Sequence, residues 1–173
     1  MYWFFVFLAG IALILILKQV LFPKDGSRAA QLMSTYRRMT PDLLASVPDD
    51  ELIAAVAANL LSHAEAENRE PYAVIPKLSP ERCAVYSIWA VRRELESGDA
   101  ASLRHAGQFG FSELAADGLE MLGENDAAAH LRDYLQTASD EALTALTEHL
   151  PSTEMTQKLI AFIRDNAAAF CDD

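Results

Sequence analysis

From Met39 onward, apolar residues recur at three- and four-residue spacing between serine, proline and glycine stops, the pattern of successive amphipathic helices. Pro48 with Asp49, Asp50 and Glu51 opens one helix by setting acids at its positive end, and Leu52, Ile53, Val56 and Leu60 form its stripe. Ser79-Pro80-Glu81 opens another, with Ser79 as the cap and Pro80 where a missing N–H costs nothing. Its stripe is Val85, Ile88, Trp89, Val91 and Leu95, and Gly98 supplies the left-handed residue that ends it. Phe111, Leu114, Ala115 and Leu122 form the next stripe, closed by Gly123; Leu131, Tyr134 and Leu135 follow Asp126. Leu143, Leu146 and Leu150 stop at Pro151, and Ser152 caps a last helix with Met155, Leu159, Phe162, Ile163 and Phe170. No window alternates with a period of two, so the expected fold is all-α, a compact helical bundle without a sheet. Residues 68–80, with three prolines, read as one long extended connection.

The N-terminal part reads differently. Met1 to Leu17 carries no charge, and Val20, Leu21 and Phe22 prolong the apolar run past Lys18. About 20 residues at ~1.5 Å each match the ~30 Å hydrocarbon core of a bilayer. A cleaved signal would want a basic start, a shorter apolar stretch and a small-residue cleavage site, and none is present. The expectation is an uncleaved transmembrane anchor over 1–22, with Trp3 at one interface and Lys18 at the other. A basic juxtamembrane segment over 23–40 and an acidic helical domain over 41–173 complete the organisation. Lys18, Lys24, Arg28, Arg37 and Arg38 against Asp25 alone place the N-terminus outside under the positive-inside rule, with the helical domain at the cytoplasmic face of a bacterial inner membrane. Cys83 and Cys171, too few for a disulfide scaffold, agree with a reducing compartment.

Chemistry-bearing motifs are sparse. There is no phosphate loop, nucleophile elbow, calcium loop or paired-cysteine motif. His63 and Glu67 stand one helical turn apart, the spacing of a shared metal, but a third ligand such as Glu70 would have to come from elsewhere, and a solvated face explains the pair. Cys83 has Glu81, Arg82 and Tyr86 within a turn and no histidine to act as base, so it reads as packing. Trp89 reads as core. His105, His130 and His149 are scattered. No catalytic, cofactor or metal residue is expected.

Charge is the remaining signal. The chain's net charge is −11, and residues 39–173 hold 24 acids against nine bases. Such a surface repels nucleic acid and speeds encounter with basic proteins. Asp49, Asp50, Glu51, Glu65, Glu67 and Glu70 are the candidate partner-binding acids; the same acids also serve helix starts and solubility.

Three segments carry a resemblance: PDDELIAAVAANLL (48–61), SPERCAVYSIWAVRRELESGD (79–99) and LAADGLEMLGENDAAAHLRDYL (114–135). In this order they resemble a bacterial all-helical family of unknown function that includes a DNA-mimic protein, over residues 48–138. The family's Asn-Gly-Gly-aromatic stretch is replaced here by Glu96-Ser97-Gly98-Asp99-Ala100, so the role of that loop does not carry over. The resemblance implies an all-helical, non-enzymatic, acidic interaction domain. The leading expectation is therefore a membrane-anchored interaction domain with a protein partner. A toxin-neutralising immunity protein is the first alternative, and a membrane-bound hydrolase or metal enzyme using His63 and Glu67 the second.

Overall fold

Side-chain caps decide where several of the helices begin. The Thr40 and Ser79 hydroxyls accept from the backbone N–H of Leu43 and Arg82, and those of Ser139 and Ser152 from Ala142 and Met155. Each satisfies one of the N–H groups that a helix start leaves unpaired. The computed structural model describes residues 25–172. Its helices are α1 (Asp25–Thr35), α2 (Pro41–Ser46), α3 (Asp49–Ala66), α4 (Pro71–Val74) and α5 (Pro80–Ser97), followed by α6 (Ala106–Met121), α7 (Asn125–Thr137), α8 (Asp140–His149) and α9 (Thr153–Asp165). Short 3₁₀ turns lie at Ile75–Lys77, Ala100–Arg104 and Ala167–Phe170, and no strand occurs among the described residues.

Helix α3 buries Leu52, Val56 and Leu60 of its stripe, with Ile53 half-buried, and also Ala55, Ala57, Ala58, Asn59, Ser62 and Ala64. The alanines make this possible, because a helix with short side chains on several faces lets neighbours approach from more than one side. Helices α1 and α5 pack on it, and α9 closes against both α3 and α5. Consecutive pairs α5–α6, α6–α7 and α7–α8 build out the other half, α5 with α6 the most extensive. That pair meets at a glycine: a Cβ added to Gly118 would stand 2.9 Å from the Ala84 Cα. Met39, Leu44, Leu52, Leu60, Ile88, Leu119, Leu131, Leu146 and Phe170 are sealed from solvent in one continuous core.

The expected caps at Ser79 and Gly98 hold: Gly98 sits at φ 79°, left-handed, and its N–H reaches the Leu95 carbonyl. Residues 68–80 are not extended. Pro71 takes the first position of α4, and Ile75–Lys77 adds a 3₁₀ turn, with Val74 and Ile75 buried. Over residues 25–40, α1 packs Leu32 against the core, and Tyr36 and Met39 are buried, while Arg28, Arg37 and Arg38 are exposed.

The placement in a bacterial inner membrane as a single-pass protein is corrected. No helix among the described residues is long and apolar enough to cross a membrane. The reason is charge. Of the two longest, α3 carries Asp49, Asp50, Glu51 and Glu65, and α5 carries Glu81, Arg82, Arg92, Arg93, Glu94 and Glu96. A single such residue at mid-bilayer costs ~2.5–3.5 kcal/mol or more. Residues 1–22, with Trp3 and Lys18, lie outside the described residues, as does Lys24. Neither the bilayer contact nor the orientation is therefore carried by the structure.

Candidate functional site

The six acids singled out from the sequence do not form one patch. Asp49, Asp50 and Glu51 occupy the first turn of α3, while Glu65 lies 16 residues further on, ~24 Å along the axis. The first group is also engaged within the fold. Asp49 accepts from Arg164 Nη2 at 2.8 Å, and Arg164 further donates to the carbonyls of Leu44 and Val47, closing the end of α2. Glu51 is half-buried beside Tyr36, whose phenol is pushed up by burial first and by Glu51 second. At the other end Glu65 is exposed, Glu67 lies 3.6 Å from Arg69, and Glu70 precedes α4 in solvent.

His63 and Glu67 do not converge either. His63 Nε2 instead lies 2.9 Å from Asp172 Oδ1, in a polar knot joining the C-terminal segment to α3 and α5. Asp172 Oδ2 accepts from the Met39 N–H at 2.7 Å and from Asn59 Nδ2 at 2.8 Å, and the Asp172 N–H donates back to the Met39 carbonyl. Arg82, 6% exposed, lies 3.0 Å from Asp172 and donates to the carbonyls of Ala169 and Cys171. Burial pushes the Asp172 carboxyl up, but the bonds from Met39, Asn59 and His63 outweigh it and hold it below the usual carboxylate range.

A second knot, between α7, α8 and α9, centres on Glu124, 8% exposed, which meets Lys158 and, at 2.7 Å, His149 Nε2. Burial raises its carboxyl and the bonds from Lys158 and His149 bring the net below the ordinary value. His130 lines the 250 Å³ cleft beside it together with Asp126 and His149. Among the described residues no three His, Cys, Asp or Glu side chains gather as metal ligands would. Burial pushes the Cys83 thiol up; its hydroxyl neighbour Ser87, 3.9 Å away, offsets this only in part, so the thiol is not activated.

One arrangement does face outward with converging chemistry. Trp89 is half-buried on the outer side of α5, not sealed in the core as its place in the apolar stripe predicts. Its ring packs 5.4 Å from Tyr86, which in turn lies 4.9 Å from Phe111, so the core holds it from behind. Arg93, one turn on, lays its guanidinium 5.2 Å above the indole. Two clefts meet at this point, of 330 Å³ and 400 Å³, both lined by Leu61, Trp89 and Arg93. The first continues between α1, α3 and α5, over Leu32, Met33, Ala54 and Ala58, with Arg28 and Glu96 also on its walls. The second runs along α5 past Tyr86, Ala90, Glu94 and Ser97.

No family model, curated protein or solved structure matches this chain.

What can be read of the surface therefore comes from its residues. The Trp89–Arg93 pairing was visible in the sequence as an aromatic and a base four apart on one helix. Nothing in that spacing said which way the pair would face. The neighbours on α1 and α3 decide it, and those come from positions some 30 to 60 residues earlier in the chain.

Proposed function

We propose that this chain is a non-catalytic helical interaction domain that binds a protein partner through the face centred on Trp89. The observation that carries the reading is the half-buried indole, backed by Tyr86, overlaid by Arg93 and standing where two clefts join. Tryptophan, tyrosine and arginine are the residues most often found at the energetic centre of an interface. A ring held by the core from one side and open on the other loses little side-chain freedom on binding. One feature supports the non-catalytic part: the Cys83 thiol is buried and held in its neutral form. The acids, spread over the ends of α3 and over α7 and α8, serve helix starts and solubility in this reading.

A photo-cross-linking residue at Ser97, which lines the second cleft, tests this in cells against the same residue at Glu141 on α8. Adducts at Ser97 that disappear with Trp89→Ala are expected. Adducts at both positions alike, or at Glu141 alone, would move recognition away from this face.

A further inference from the structure

The reading of the Trp89 face as a protein-binding surface leaves the partner's chemistry open, and the walls of the groove narrow it. The first cleft is walled by Leu32, Met33, Leu61 and Trp89, with Ala54 and Ala58 in place of bulkier groups on α3. Such a surface takes apolar side chains presented at helical spacing, as when an amphipathic helix lies in a groove. The charges on this face are unlike those of the molecule as a whole. In a chain of net charge −11, Arg28 and Arg93 both line the cleft, both are exposed, and neither forms an ion pair with a described residue.

The two acids on the cleft walls each have a partner. Glu94 accepts from Ser102 Oγ at 2.6 Å, and Glu96 lies 3.9 Å from Arg92, itself largely buried. Arg93 is held against the indole but keeps its N–H groups for a ligand, because a cation over a ring face spends its charge and none of its donors.

We propose that the Trp89 groove binds an amphipathic helical segment of a protein partner, whose apolar stripe lies along Leu32, Leu61 and Trp89 and whose flanking carboxylates pair with Arg28 and Arg93. The inference rests on the protein-binding reading of this face and adds the sign and shape of what it recognises.

The probe is a designed 14-residue helix with leucine and phenylalanine at helical spacing and glutamate on both flanks, set against a twin with lysine in place of every glutamate. The full chain with Trp3→Phe makes Trp89 the one indole, and its emission is followed at physiological ionic strength. The glutamate peptide is expected to shift the emission and to bind at least about tenfold more tightly than the lysine twin. Arg28→Glu with Arg93→Glu is expected to reverse that order; neither residue is part of the core, so the fold should survive.

Twins that bind within twofold of each other would overturn the inference. So would emission that responds to phosphatidylglycerol vesicles and to neither peptide, which would make this a lipid surface. If the Ser97 cross-link persists while both peptides fail, the inference falls and the protein-binding reading stands. If the Ser97 cross-link is also absent, both fall together.

Discussion

Arg82 shows how much a single buried side chain can hold. Its guanidinium serves two carbonyls and the Asp172 carboxylate at once, with little of it open to solvent. Replacing it by methionine keeps much of the volume and strands those acceptors. Arg82→Met is expected to cost ~3–5 kcal/mol, the range for breaking a buried pair from one side. A lowered urea midpoint with unchanged slope is the measurement. Arg82→Met with Asp172→Asn should lose less than the two single changes added together, since the pair acts as a unit. Trp89 belongs at the other end of the scale. A sealed aromatic costs ~3–5 kcal/mol when cut to alanine. Half-buried on the outer side of α5, Trp89 should cost about 1–2 kcal/mol by area, against the full amount for Phe170→Ala in the same denaturation series. The knot around Asp172 could not be read from the sequence, because His63 and Met39 lie 109 and 133 residues away from it. An aspartate between Cys171 and Asp173 carries no pattern until the fold supplies its partners.

At the scale of elements, local chemistry was the better guide. Ser79, Ser152 and Gly98 act as caps where the sequence puts them, because capping involves only residues within a turn of one another. Two segments are less legible. Three prolines made 68–80 look extended, yet proline at the first helical position favours a helix start, and Pro71 takes it. In α1 the apolar signal is thin, Leu32 and Met33 among polar neighbours, so the bases around it are the stronger feature of the sequence. The acids of α3 were legible as a helix start and not as a surface, since their separation follows only from the length of the helix. Close packing is likewise invisible in one strand of sequence. Gly118 looks like a weakness inside α6, one that alanine would repair by ~1 kcal/mol of helix propensity. Its missing Cβ is instead where α5 passes, 2.9 Å from Ala84 Cα and 3.0 Å from its Cβ. Gly118→Ala should therefore lower the melting temperature, at a net cost of ~1–2 kcal/mol as backbone gives way to the added methyl. A variant that melts higher than the parent would show that α5 and α6 part without strain.

The whole molecule is stabilised through carboxylates that the fold holds charged, and this fixes how it responds to acid. Asp172 and Glu124 both ionise more readily folded than unfolded. For such groups the unfolded chain takes up the proton first. Their contribution is therefore complete above the unfolded values of ~3.9 and ~4.3 and is lost as pH falls through the lower folded ones. Melting temperatures should stay level from neutral pH down to about 5 and fall steeply below about 4. Asp172→Asn should start lower and show a shallower fall over the same range. If parent and variant decline in parallel, other carboxylates carry the acid response.

The link between Met39 and Asp172 also has a meaning in time. A ribosome adding ~5–20 residues per second reaches Asp172 on the order of ten seconds after Met39. During that interval Asn59, His63 and Arg82 already exist without the carboxylate that will bind them, and the approach to Met39 is open. The nascent chain can assemble α3 against α5, but Met39 can be fastened to Asp172 only once the last described residue has been made.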